Sequence, residues 1–136
     1  MRPLRARVLS LRGHILSLRG HILSLRGLAV LMAVLVAGGE IARRAGTAAF
    51  VPLALDELAV AALLLWAGWR GGAARLLAAW GVFSGLMLTL LSQNAEYVLH
   101  GREKAGAVFY PVLLALLLAL GLWAMARALR ALPRGG

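Results

Sequence analysis

Four carboxylates stand in or at the end of apolar runs of this sequence, where an acid needs a reason to be. Glu40 lies in LAVLMAVLVAGGEIA, Asp56 and Glu57 interrupt FVPLALDELAVAALLLWAGW, and Glu96 comes late in the run that opens at Leu76. A charged side chain at mid-bilayer costs roughly 2.5–3.5 kcal/mol on insertion scales, so such groups pair, bind an ion or pass a proton. The residue types allow three chemistries: a buried acid–Arg network that fixes helix register, a proton or cation relay, or a metal site.

Spacing narrows these. Glu40 has Arg43 and Arg44 three and four residues on, the separations that meet on one helix face. Asp56 and Glu57 project about 100° apart on a helix, so they cannot both serve one partner. Gly85, Thr89, Ser92, Glu96 and His100 follow at intervals of four, three, four and four, a single polar stripe. Glu96 and His100 would offer two metal ligands from one face, and an acid of the preceding span a third. A Glu-x-x-x-His pair with no further His nearby is a thin ligand set, and no metal is assigned on it. Ser84 and Ser92 have no His at comparable depth, and no glycine-rich loop opens a helix onto a phosphate. The absence of cysteine excludes thiol nucleophiles, disulfides and thiolate ligands. No catalytic residue and no cofactor is assigned, so an enzyme is not the expected class.

The elements that must position these groups follow from composition. Of 136 residues 62% are hydrophobic, and mean hydropathy is +0.84. A soluble domain carries about 45–50% apolar residues. The expected fold is therefore all-α, an integral membrane four-helix bundle. Spans are expected at about 22–42, 49–69, 75–99 and 106–127, making residues 28–128 the membrane domain. Residues 1–27 form a basic tail in which LSLRGHI repeats from Leu9 and Leu16 and restarts at Leu23. Its apolar positions do not gather on one helical face, and the tail is expected to be disordered or interfacial. Residues 129–136 form a second basic tail. The first apolar run is also short enough for a signal peptide, although Arg43-Arg44 follows it and no good cleavage site does.

The net charge of +10 does not indicate nucleic acid, because the arginines sit at the ends of apolar runs without interleaved aromatics. They instead set orientation. With four spans, eleven of the fifteen basic residues fall on the side of both termini, and four (Arg43, Arg44, Arg102 and Lys104) on the other. The positive-inside bias predicts both termini in the cytoplasm, in a bacterial inner membrane. Anionic lipid at the cytoplasmic face, a second copy or another membrane protein are the expected partners.

All five acids fall in the outer half. Glu40, Asp56 and Thr89 each lie fourteen residues from an inner arginine (Arg26, Arg70 and Arg75), roughly 21 Å into the bilayer. Tyr110 comes to nearly the same depth. One polar layer is thus predicted, of Glu40, Asp56, Glu57, Thr89, Ser92, Glu96, His100 and Tyr110, with Arg43 and Arg44 as counter-charges. Gly81 and Gly85 form a GxxxG that predicts close helix packing. In layout, residues 28–128 resemble the small four-helix bacterial membrane proteins of the DoxX-like type. That resemblance implies architecture and gives no residue a role. The functional expectation is an accessory or assembly protein whose acidic layer fixes packing or meets a partner. The alternative is a proton- or cation-handling protein using Asp56, Glu57 and Glu96.

Overall fold

A computed structural model describes residues 25–44, 46, 55–100 and 108–133. All the regular structure among them is helical: α1 Leu25–Arg44, α2 Leu55–Arg70, α3 Ala73–Leu99 and α4 Phe109–Arg130. Together they make a four-helix bundle in which α1, α3 and α4 are long and apolar enough to cross a membrane. α2 is described over sixteen residues, short of the about twenty a span needs. Its expected start at 49 lies outside the described residues, as do the repeat up to Ser24, the loop from 101 to 107 and residues 134–136.

Two boundaries differ from expectation. The last LRG of the repeat, Leu25 to Gly27, is helix, within the span expected from about residue 22. α1 continues through Arg43 and Arg44, which were expected in the loop, because Glu40 holds both on its own face and cations suit a helix C-terminus. α4 runs on to Arg130 for the same electrostatic reason, with Arg127 and Arg130 in its last turn. At its start Pro111 falls in the first turn, where a missing N–H costs least.

α2 and α3 are joined by Gly71 and Gly72, both with positive φ (69° and 96°). Gly71 donates its N–H to the Ala67 carbonyl at 2.9 Å and closes α2 in the left-handed conformation that glycine adopts without penalty. The chain then reverses within two residues. α1 and α2 are also antiparallel: Arg26, at the start of α1, hydrogen-bonds the carbonyls of Gly68 and Trp69 at the end of α2.

Close approach depends on two glycines. A Cβ at Gly68 would stand 2.8 Å from Val30 Cγ2 and 3.0 Å from the Arg26 carbonyl, so α1 and α2 meet backbone to side chain there. A Cβ at Gly121 of α4 would collide with Ser84 Oγ and press on Phe83 of α3. The GxxxG pair divides. Gly81 faces Met125 of α4 at ordinary contact distance, whereas Gly85 has nothing within 4 Å.

The core sits between these crossings, with Leu25, Leu64, Leu76, Trp80 and Phe83 fully buried. The Trp80 and Phe83 rings meet edge to face at 5.5 Å, a geometry worth about 0.5–1.5 kcal/mol beyond burial. One end of the bundle carries arginine and tryptophan, with Arg75 over the Trp66 ring and Arg127 over Trp123 at 5.6 and 5.0 Å. Glu40, Glu57 and Arg43 gather at the opposite end.

Candidate functional site

The last turn of α1 and the first of α2 bring the acids together. Glu40 Oε1 lies 2.6 Å from Arg43 Nη2, and Glu40 Oε2 accepts from Arg44 Nε at 2.8 Å. Each carboxylate oxygen of Glu40 therefore has its own guanidinium. Arg43 Nη2 also stands 3.8 Å from Glu57 Oε1, the one ion pair between α1 and α2 among the described residues. Glu40 and Glu57 are only 8% and 7% exposed.

These groups close one end of a cleft of about 390 Å³ that all four helices line. Such a volume falls within the range of small-molecule sites. Its polar end is Glu40, Arg43, Glu57, Asn94 and Tyr110. Its walls are apolar: Met32, Leu35 and Val36 from α1, Met87 and Leu90 from α3, and Leu113, Leu114 and Leu117 from α4. Glu57 Oε2 is fully buried, closed off even from the cleft, and has no geometric hydrogen-bond partner among the described residues. The neighbouring Asp56 carboxyl can hydrogen-bond Glu57 when one of the two keeps its proton and donates it.

The expected polar layer is thus half assembled. Glu40, Glu57, Arg43 and Tyr110 line the cleft, and Arg44 supports it through Glu40. Asp56, Thr89, Ser92, Glu96 and His100 are exposed and are not part of the lining. Thr89 donates its hydroxyl to the Gly85 carbonyl of its own helix at 3.0 Å, and His100 Nδ1 lies 2.8 Å from the Glu96 carbonyl. Both side chains satisfy themselves locally, as hydroxyls and imidazoles on helix surfaces can.

The reason is rotation. α3 lines the cleft with Met87, Leu90 and Asn94, and at about 100° per residue that face is roughly opposite the stripe Gly85–Thr89–Ser92–Glu96. Among the described residues no three of His, Asp and Glu come together as a metal ligand set, so Glu96, His100 and a span-two acid do not converge.

Asn94 was missed by the sequence reading. Its Nδ2 donates to the Leu90 carbonyl at 2.8 Å, which leaves Oδ1 as an acceptor. The signal was present as Met87, Leu90 and Asn94 at intervals of three and four, two apolar residues continued by an amide.

The site as a whole can cross-link α1 to α2 through Arg43. Comparison with protein-family models, curated proteins and solved structures finds no match for this chain.

Proposed function

We propose that this chain is a small multi-pass protein of a bacterial inner membrane, both termini cytoplasmic, serving an accessory or assembly role in which its acid–Arg network holds the helices in register. The observation that carries the reading is Arg43, which ion-pairs Glu40 within α1 and reaches across to Glu57 of α2. Segregation of Arg and Trp at one end of the bundle, with the buried acids at the other, supports the orientation. The burial of Leu25, Ala29, Met32 and Ala33 against the bundle supports a retained first helix rather than a cleaved signal.

A reporter fused after Gly46 is expected to behave as external, and cytoplasmic behaviour there would overturn the orientation. The register role is tested by Glu40→Gln and Glu57→Gln, which should reduce the yield of folded, detergent-extractable protein.

The second reading, proton or cation handling, draws on Glu57, a buried acid beside the cleft whose Oε2 has no partner among the described residues. It rests on Asp56 and Glu57, since Glu96 is exposed on the far side of α3. Ion flux in proteoliposomes that Glu57→Gln abolishes, with folding intact, would replace the register reading by this one.

A further inference from the structure

The cleft runs along the bundle, polar at one end and apolar at the other. On α1 it extends from Arg43 to Met32, eleven residues apart and roughly 16 Å of rise. Asn94 to Met87 on α3 and Tyr110 to Leu117 on α4 run beside it in the same sense. In a hydrocarbon layer about 30 Å thick that is the depth of one leaflet. Gly39 lies in this lining, and a Cβ there would meet nothing within 4 Å. A glycine inside a helix weakens it, and no contact among the described residues requires one at this place. Close approach of a ligand to the backbone does.

At the polar end unused donors outnumber unused acceptors. Arg43 meets carboxylates through Nη2 alone, so its Nε and Nη1 have no partner among the described residues. The Tyr110 hydroxyl has none there either, and Asn94 gives one N–H to the Leu90 carbonyl and keeps the other. The acids offer little in return. Both oxygens of Glu40 are held by Arg43 and Arg44, and Glu57 Oε2 is closed off. Charge is already balanced: with the one proton that a hydrogen bond between Asp56 and Glu57 requires, Glu40, Asp56 and Glu57 match Arg43 and Arg44.

A head that fits this end accepts hydrogen bonds and carries no charge. We infer that the cleft takes one acyl chain of an uncharged glycerolipid, a diacylglycerol, with its ester carbonyls accepting from Arg43 and Tyr110 and the chain laid along the trough between α1, α3 and α4. The second chain stays in the bilayer.

Three alternatives fit less well. An anionic head would add unbalanced charge beside Glu40 and Glu57. A cationic head would meet Arg43, with Glu40 already held by two guanidiniums. An ether-linked chain would fill the trough and lack the carbonyls that the donors call for.

The inference rests on the membrane reading above, and the two fail differently: a chain that purifies without detergent defeats that reading. The test uses the full chain in phosphatidylcholine nanodiscs doped equally with four lipids. These are dioleoylglycerol, dioleoyl phosphatidic acid, the cationic dioleoyl trimethylammonium propane and the ether dioleylglycerol. Retained lipid is read by native mass spectrometry. Dioleoylglycerol is expected to be kept about tenfold over each of the others, the order of one to two net hydrogen bonds. Tyr110→Phe, which removes one donor and keeps the ring, should lower its preference over the ether lipid about fivefold. Gly39→Leu, which brings in a better helix former and fills the trough, should abolish retention of dioleoylglycerol above the level of the others.

Equal retention of the four lipids by the wild-type chain overturns the proposal. So does a preference for the phosphatidic acid, which would mark Arg43 as a simple anion site, or for the cationic lipid, which would mark the acids as the binding groups. Ester and ether lipids held alike would leave the donors without a role and defeat it as well. If one variant does not fold, the wild-type comparison and the other variant decide, and a preference unchanged in that variant sinks the idea.

Discussion

Arg26 and Gly68 hold each other in two ways. Arg26 donates from Nε to the Gly68 carbonyl at 2.8 Å, and its own carbonyl lies 3.0 Å from where a Gly68 Cβ would be. The Arg26 that caps carbonyls in the last turn of α2 thus also presents its own carbonyl to the glycine that sets how near α1 can come. Gly68→Ala should separate the two helices and destabilise the bundle by about 1–3 kcal/mol, the usual cost of overpacking. Arg26→Ala removes hydrogen bonds to two terminal carbonyls, Gly68 and Trp69, and should cost a similar amount. Thermal unfolding in detergent measures both. If the double variant loses as much as the sum of the singles, the two effects are independent and the coupling described is wrong.

Gly121 and Gly85 make opposite predictions. Gly121→Ala drives a methyl into Ser84 and Phe83 and should destabilise α3 against α4 by about 1–3 kcal/mol. Gly85→Ala meets open space and should be neutral or stabilise α3 by up to about 1 kcal/mol through helix propensity. Unfolding midpoints of the two single variants suffice as the check. A strong loss at Gly85 would mean that another surface packs there.

Glu40 is the buried acid with two counter-ions, so its loss removes a partner from both Arg43 and Arg44. Glu40→Gln is expected to cost about 1–3 kcal/mol, less than the about 3–5 kcal/mol of a fully buried pair because Arg43 is half exposed. The Arg43–Glu57 contact, at 3.8 Å, should be worth no more than about 1 kcal/mol in a double-mutant cycle. A coupling energy well above that would show that Arg43 moves closer to Glu57 in the membrane.

Trp80 carries a buried Nε1 with no partner among the described residues, in a core that otherwise fits its ring. Trp80→Phe removes the unsatisfied N–H and most of the ring survives, so its cost should stay below about 1.5 kcal/mol. Trp80→Ala opens a cavity and should cost about 3–5 kcal/mol. Chemical unfolding of the two variants separates a packing role from a polar one. A large loss in Trp80→Phe would point to an acceptor for that N–H.

Level along the bundle was legible in the sequence and rotation was not. Counting from Arg26 and Arg70 set Glu40 and the Asp56–Glu57 pair at one level, and Glu40 and Glu57 do meet one cleft. The pairing of Glu40 with Arg43 and Arg44 followed from i,i+3 and i,i+4 spacing alone. The face of α3 did not follow. Its polar stripe is self-consistent as a pattern, and periodicity says that residues share a face without saying which way that face turns. α4 settles on Ser84 and Phe83 at Gly121, on the side of α3 away from Thr89 and Glu96. Nothing within α3 itself encodes that contact. For the same reason GxxxG pointed at Gly85, while the close crossings lie at glycines with no partner motif in their own helix.

The spacing of charge on α2 has a mechanical consequence. Glu57 and Arg70 stand thirteen residues apart, roughly 20 Å of rise. If the bundle crosses a bilayer as proposed, a hydrocarbon layer about 30 Å thick meets two charged groups that close together on one helix, a mismatch that is relieved by thinning the bilayer. The dimple would then form on the flank of α2 alone, and the protein would act as a local source of curvature strain.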